Sequence, residues 1–178
     1  MANEVLHKTG TPLVWAAADY GDGDFSGGED YALDLDSLAD GAARQGGKGD
    51  LGATRARLYM VVVAIEFDVA PTAGTTVDFY WSSSQSETAA TANMGGASGS
   101  DGAYKAGEEA EWVKQLEYLG SLTATNDAAT TVQKQVIGAI TPSQRYGMPV
   151  VVNNGGQALE GDGVEMYFAL VPIVDEVQ

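Results

Sequence analysis

The most regular hydrophobic pattern lies in the middle of the chain, between Arg55 and Val69. Residues Leu58 to Ile65 are apolar without interruption, and acidic residues then alternate with apolar ones, which predicts a central strand whose far end reaches water. The segment Thr75 to Trp81 alternates with period two. Between the two, residues 70–74 supply a proline and a glycine suited to a turn. The pattern therefore predicts a β-hairpin.

Six further segments show strand-like patterns, and one is ambiguous. In one of the six, Val132, Val136 and Ile140 are expected on a single face. The residues from Gly107 to Lys114 fit either a short helix or the start of a strand. The six predicted strands are Leu13–Ala18, Tyr31–Leu38, Leu116–Thr125, Thr130–Ile140, Met148–Val152 and Val164–Val174.

About eight short strands with turn-rich connections predict an all-β fold, either a sandwich or a barrel. We favour an antiparallel β-sandwich of the jelly-roll type, which has this number of strands. Residues 1–12 are expected to form an N-terminal arm, and residues 13–178 a single sandwich domain with a long loop at 82–107. That loop is expected either to be a flexible surface excursion or to become ordered against a neighbouring subunit.

Charge and composition exclude several functional classes. The chain of 178 residues carries 25 acidic and 9 basic side chains, a net charge of −16, so we expect neither a nucleic-acid partner nor binding to an anionic membrane. It has no cysteine, which excludes disulfides and thiolate metal sites. The first ten residues show no signal-peptide pattern, and the longest apolar run is too short to cross a membrane as a helix.

Two motifs could bind a ligand, and neither is convincing. Residues 47–52 match G-x-G-x-x-G, but a loop precedes them and a strand follows, so we interpret the match as chance. The acidic segment Asp19–Asp30 places Asp22 and Asp24 as a calcium loop would, yet Leu33 stands where a bidentate glutamate is required. An irregular calcium loop remains open, and a solvated acidic turn is the better interpretation.

Catalytic equipment is sparse. His7 is the only imidazole, and no serine lies in a G-x-S-x-G motif, so we predict no catalytic residue, no cofactor and no metal site. Trp15, Trp81 and Trp112 could stack on sugars as in a lectin. For Trp81, which shares its strand face with other apolar residues, core packing is the stronger expectation.

Basic residues are concentrated in one short window. Arg44, Lys48, Arg55 and Arg57 are four of the nine cations and lie within fourteen residues. Arg55 and Arg57 have the same strand parity, so their side chains are expected on one face. The window either neutralises acidic neighbours or forms a patch that docks on an acidic partner or on a second copy of the chain.

Three segments carry a resemblance to a known group of proteins. The stretches 65–81 (IEFDVAPTAGTTVDFYW), 145–153 (RYGMPVVVN) and 163–171 (GVEMYFALV) resemble small all-β virion proteins of tailed bacteriophages, with the head decoration or cement proteins foremost. The resemblance implies a protein present in many copies on a particle. It further implies a trimer whose arms or loops bridge capsid subunits.

These observations together predict a non-enzymatic phage structural protein, a capsid decoration protein that stabilises the head. Its expected partners are the major capsid protein and itself, as a homotrimer, and its expected location is the capsid surface after synthesis in the host cytoplasm. The alternatives are a tail or neck structural protein and a lectin-like carbohydrate-binding module, with an enzyme third. The predicted interface residues, from the arm and the basic window, are His7, Lys8, Pro12, Arg44, Lys48, Arg55 and Arg57.

Overall fold

A computed structural model describes residues 5–21 and 23–177, and strands dominate it. The helical elements are α1 at Glu109–Trp112 and two 3-10 turns at Met94–Gly96 and Val113–Gln115. The strands are β1 Val5–Thr9, β2 Leu13–Ala16, β3 Tyr31–Ala32, β4 Ala43–Gln45, β5 Gly49–Asp50, β6 Leu58–Ile65, β7 Thr76–Ser84, β8 Gly102–Ala103, β9 Glu117–Thr123, β10 Gln133–Ile140, β11 Tyr146–Asn154 and β12 Tyr167–Val177.

The strands form two sheets of six. The first sheet has the order β10-β6-β12-β2-β3, with β1 beside the far end of β12. The second has the order β8-β4-β11-β7-β9, with β5 beside β11. Every pair is antiparallel except β2 with β3. The predicted all-β, antiparallel sandwich is therefore confirmed.

Pairing among the main strands is nested along the chain. β2 pairs with β12, β4 with β11, β6 with β10, and β7 with β9. Successive pairs belong alternately to the first and the second sheet. Each pair therefore encloses the next one along the sequence, with the two ends of the chain outermost and its middle innermost.

The predicted hairpin is wrong. β6 belongs to the first sheet, between β10 and β12, whereas β7 belongs to the second, between β11 and β9. Residues 70–74 therefore connect two sheets instead of two neighbouring strands. The reason is that period-two alternation identifies a strand but not its partner, and both strands are flanked on each side within their own sheets.

Aromatic rings fill the space between the sheets. Trp15 meets Trp81 edge-on, with ring centroids 5.6 Å apart, and Phe168 lies 5.7 Å from Trp15. Both tryptophans and Phe168 are buried. The core position expected for Trp81 is confirmed, and aliphatic side chains of β6 and β7 complete this core.

A bulge in β10 places Val136 on the opposite face from the one expected. The register against β6 shifts between Val136 and Gly138. Because one extra residue reverses the alternation, Val136 is 54% exposed while Ile140 is buried. The prediction that these two side chains share a face is therefore wrong.

One predicted strand is shorter than expected, and the segment whose pattern was ambiguous has a definite structure. Of the predicted strand 31–38, only Tyr31–Ala32 pairs, although Leu33 and Leu35 are buried as the alternation indicated. The ambiguous segment before β9 is helical, with α1 followed by a 3-10 turn, and β9 then begins at Glu117.

The predicted N-terminal arm is a paired strand over its described part. β1 runs antiparallel to β12, from Val5 opposite Val177 to Thr9 opposite Ile173, and the Gly10 amide donates to the Pro172 carbonyl at 2.8 Å. Residues 1–4 lie outside the described residues. β1 and the end of β12 together form a two-stranded ribbon.

Candidate interaction surface

Each sheet has an inner face on the core and an outer face. The second sheet's outer face is apolar, with Met148 and Val150 of β11 fully buried. The rest of the predicted loop 82–107 lies over them, since its first three residues finish β7 and its Ala97 and Tyr104 pack against this face. Trp112 and other side chains of the helical segment extend the cover.

This cover is held by a buried hydroxyl and a lysine. Tyr104 is 1% exposed and its Oη donates to the Gly95 carbonyl at 2.6 Å. Burial raises the pKa of Tyr104 to about 12. The loop is thus ordered by contacts within its own chain.

The ammonium of Lys48 organises the start of the same loop. Its Nζ donates to the Ser84 hydroxyl at 2.9 Å and to three carbonyls, those of Ser86 at 2.9 Å, Thr88 at 2.6 Å and Thr91 at 3.0 Å. Burial lowers the pKa of Lys48. This predicted interface residue therefore performs a structural role inside the chain.

Arg44 is likewise used internally. Its guanidinium forms a two-point contact with Asp101, at 2.9 Å and 2.5 Å, and reaches Asp34 at 3.5 Å. The hydrogen bond to Asp101 is the main cause of a raised Arg44 pKa. For this half of the basic window, neutralisation of acidic neighbours is the interpretation that the contacts support.

The first sheet's outer face is covered at one end only. There the segment Asp19–Asp30 folds over the sheet, with the rings of Tyr20 and Phe25 at 5.8 Å and 5.1 Å from that of Tyr167. Asp24 accepts a hydrogen bond from the Tyr167 hydroxyl at 2.9 Å and pairs with Lys134 at 2.5 Å. The acidic turn is thus a packed cover, although Asp22 lies outside the described residues.

Farther along β6 the described residues place no such cover on this face. The odd-numbered residues 59 to 65 point into the core, so Leu58, Met60 and Val62 point outward. Leu58 is 40% exposed and Val136 54% exposed. We call this surface the bare face. It consists of Leu58, Met60, Val136, Ala139 and Ile173, which adjoin across β10, β6 and β12.

Arg55 and Arg57 lie at the open end of the bare face. They precede β6 and are not in a strand, so strand parity does not apply to them, although both line the same groove. Within the described residues neither guanidinium has a carboxylate within 4 Å, whereas Arg44 and Arg145 each bind an aspartate through two nitrogens. The two arginines line a groove of about 280 Å³ with Thr141.

The ribbon residues of the predicted interface border this region. A neighbouring groove of about 370 Å³ is lined by His7, Arg57, Leu58 and Asp175, among others. His7 Nδ1 lies 2.8 Å from an Asp175 carboxylate oxygen, with both side chains mostly exposed.

The remaining two predicted interface residues are also placed. Lys8 pairs with Glu176 across the same ribbon. Pro12 lies apart from this region, in a groove with Phe25 beside the covered end. Of the seven predicted residues, the structure therefore brings three together at the bare face: His7, Arg55 and Arg57.

The covered end of the first sheet is acidic. Glu66, at the end of β6, is 5% exposed, and its Oε2 has no hydrogen-bond partner among the described residues. Burial raises the Glu66 pKa, and the nearby carboxylates Glu165 and Glu160 raise it further. No group of three or more acidic or histidine side chains in residues 5–21 and 23–177 is placed to hold a metal ion.

The bare face itself was not predicted from the sequence. The available signal was the uninterrupted apolar run of β6, since a strand exposed on one side normally alternates with polar residues. A second apolar run in β12 gives the same signal.

Comparison of the sequence with protein-family models found no match, and comparison with curated proteins found none either. Among the described residues there is no helix of the length and hydrophobicity required to span a membrane.

Proposed function

We propose that this protein is a non-enzymatic structural protein that acts by binding other protein subunits, and specifically a head decoration protein of a tailed bacteriophage. In this role it binds the major capsid protein and copies of itself on the capsid surface. The observation that carries the proposal is the bare face, a contiguous apolar surface that ends at two arginines without an ion pair among the described residues. Such patches on otherwise polar surfaces mark protein interaction sites.

The packing of two long loop segments onto the sheets supports a structural role. The long loop and the segment Asp19–Asp30, which are the parts of the chain richest in small and polar residues, are both folded onto a sheet. A protein that bridges subunits gains affinity when its contact surfaces are held in place before binding, because less conformational entropy is lost.

The order of the strands supports the jelly-roll type within the sandwich class. Two sheets that carry eight nested strands are the arrangement of the jelly rolls found in viral shell proteins and in lectins. The lectin alternative is weaker, because Trp15 and Trp81, two of the three tryptophans that could stack on sugars, are buried in the core. The third tryptophan, Trp112, donates to Glu108 and lies under Lys105.

Protein composition of purified phage particles tests the proposal. Particles produced from the genome that carries this gene would be separated into heads and tails and analysed by quantitative mass spectrometry. We expect the protein in the head fraction, in a number comparable to that of the major capsid protein. Its presence only in tails would replace the proposal with the tail or neck alternative, and its absence from all particles would overturn a virion role.

A further inference from the structure

Strands that are apolar on both faces are normally covered on both faces, and three strands of this protein have such sequences. β11 follows the rule because the long loop covers its outer side. β6 and β12 follow it only at the Ala64–Tyr167 end, where Tyr20 and Phe25 lie over the sheet. At the Leu58–Ile173 end the described chain supplies no cover, so Leu58 stays 40% exposed.

Charge is distributed unequally along this face. The uncovered end carries Arg55 and Arg57, which have no ion pair among the described residues, and the carboxylate of Asp175 lines the groove beside Arg57. The covered end carries Asp19, Glu165 and Asp24, and of these Asp24 pairs with Lys134. The two ends are separated by the length of β6, about 23 Å for seven steps along a strand. An apolar centre thus lies between a basic end and an acidic end.

We propose that the bare face binds the bare face of a second copy of this chain in a two-fold symmetric dimer. The symmetry axis passes near Met60, lies in the plane of the face and runs at right angles to the strands. This operation places the arginines of each copy against the acidic end of the other. A face with an apolar centre and opposite charges at its two ends is self-complementary under this rotation.

The net charge of −16 makes two copies repel each other, but salt screens this repulsion between charges that are far apart. At about 0.15 M salt the screening length is about 8 Å, so distant acidic residues on two copies barely interact while contacting charges still do. Three adjacent strands, about 4.8 Å apart, make the outer face about 14 Å wide, and the length of β6 makes it about 23 Å long. Since this is smaller than the roughly 800 Å² per partner of a standard interface, we expect micromolar affinity.

A second copy fits this face better than an unrelated protein does. The arginines need carboxylates and the bare face needs apolar side chains, and the second copy supplies both at the required separation. The proposal does not depend on the phage assignment. A dimer that is absent from virions would refute only the function, and a virion protein that is strictly monomeric or trimeric would refute only this contact.

Sedimentation equilibrium of the purified full chain tests the proposal. At about 100 μM and about 0.15 M salt we expect a mass of about 37 kDa, twice the 18.5 kDa of one chain. Val136→Lys, which places an ammonium on the bare face and reduces the net negative charge, should give the single-chain mass. A wild-type chain that stays monomeric at this concentration, or a Val136→Lys variant that still dimerises, would overturn the proposal.

Charge reversal provides an independent test. Arg57→Glu should weaken dimerisation at least tenfold, whereas Lys114→Glu, the same charge change beside the second sheet, should leave it unchanged. The variant Arg55→Glu/Arg57→Glu has two acidic ends, and Asp19→Lys/Glu165→Lys makes the opposite end basic. Each should be monomeric alone, and an equimolar mixture should dimerise. Equal weakening by Lys114→Glu, or failure of the mixture to associate, would contradict the assigned contact.

Discussion

The outer faces of the two sheets have similar apolar sequences but are covered differently. On the second sheet, the long loop closes over Met148 and Val150, and both are fully buried. On the first sheet, the segment Asp19–Asp30 covers only one end, and Leu58 and Val136 remain 40% and 54% exposed. An apolar strand face therefore predicts a cover, while the source of that cover depends on where the loops of the chain can reach.

The two outer faces also contribute to different properties, the covered one to the stability of the chain and the bare face to its interactions. Side chains under the long loop contribute to folding of the single chain, because they leave water when it folds. Side chains of the bare face still contact water in the single chain and can lose that contact only in a complex. The following substitutions distinguish the two faces.

Loss of the tyrosine ring under the long loop should have the largest effect. Tyr104→Ala removes a buried ring and its hydrogen bond to Gly95, so we expect the free energy of unfolding to fall by about 4 kcal/mol. Urea denaturation monitored by circular dichroism measures this. Tyr118→Ala, at a ring that is 56% exposed, is the control and should cost under about 1 kcal/mol. A loss below that value for Tyr104→Ala would mean that the cover adds little stability.

Removal of the lysine charge should loosen the cover at its start. Lys48→Met leaves one hydroxyl and three carbonyls without their donor, and we expect a loss of about 2 kcal/mol. Residues 85–92 should also become a preferred site of limited proteolysis. Lys114→Met, at an exposed lysine, should change neither property. Unchanged proteolysis in Lys48→Met would show that the loop is held by its other contacts.

At the acidic end of the first sheet, Glu66→Gln should stabilise the protein at neutral pH. Burial and neighbouring carboxylates raise the Glu66 pKa in the folded state, so ionising this group destabilises the fold above that pKa. Below the usual glutamate pKa the group is protonated in both states and the effect disappears. We expect a gain of about 1 kcal/mol at pH 7 and none near pH 3.

Thermal unfolding across this pH range provides the measurement. The exposed Glu87→Gln is the control and should show no such pH-dependent gain. A Glu66→Gln variant whose gain is equal at both pH values would show that ionisation of this carboxyl is not the cause.

A valine-to-threonine substitution should change the free energy of unfolding less on the bare face than under the long loop. In dilute protein, Val136→Thr should change the free energy of unfolding by less than about 0.5 kcal/mol. Val150→Thr, which buries a hydroxyl beneath the long loop, should cost about 2 kcal/mol. Differential scanning fluorimetry at low micromolar concentration compares them. Equal costs would remove the distinction between the faces.

Much of the candidate surface could not be predicted from local sequence. The basic window appeared as one feature, yet Arg44 and Lys48 meet partners far away in the chain, while Arg55 and Arg57 have no ion pair among the described residues. Asp101, the main partner of Arg44, and the partners of Lys48 are more than thirty residues away. Pairing across such distances depends on tertiary folding, which a window of a few residues does not contain.

The fold class was accessible because strand periodicity is a local property. The segments that became β6, β7, β9, β11 and β12 were each identified near their observed positions. Their partners were not, and the expected pairing of β6 with β7 was wrong. The expected shared face of Val136 and Ile140 failed because a bulge is decided by contacts with the neighbouring strand.

Local sequence is enough to predict that this chain folds into strands, keeps aromatic rings such as that of Trp81 in its core and carries a strongly acidic surface. These properties follow from side-chain alternation and composition, which act within a few residues. The three-dimensional fold is needed to show which strands share a sheet, which cations are already paired and which apolar face the described residues leave uncovered. Each of those outcomes depends on contacts between residues far apart in the chain.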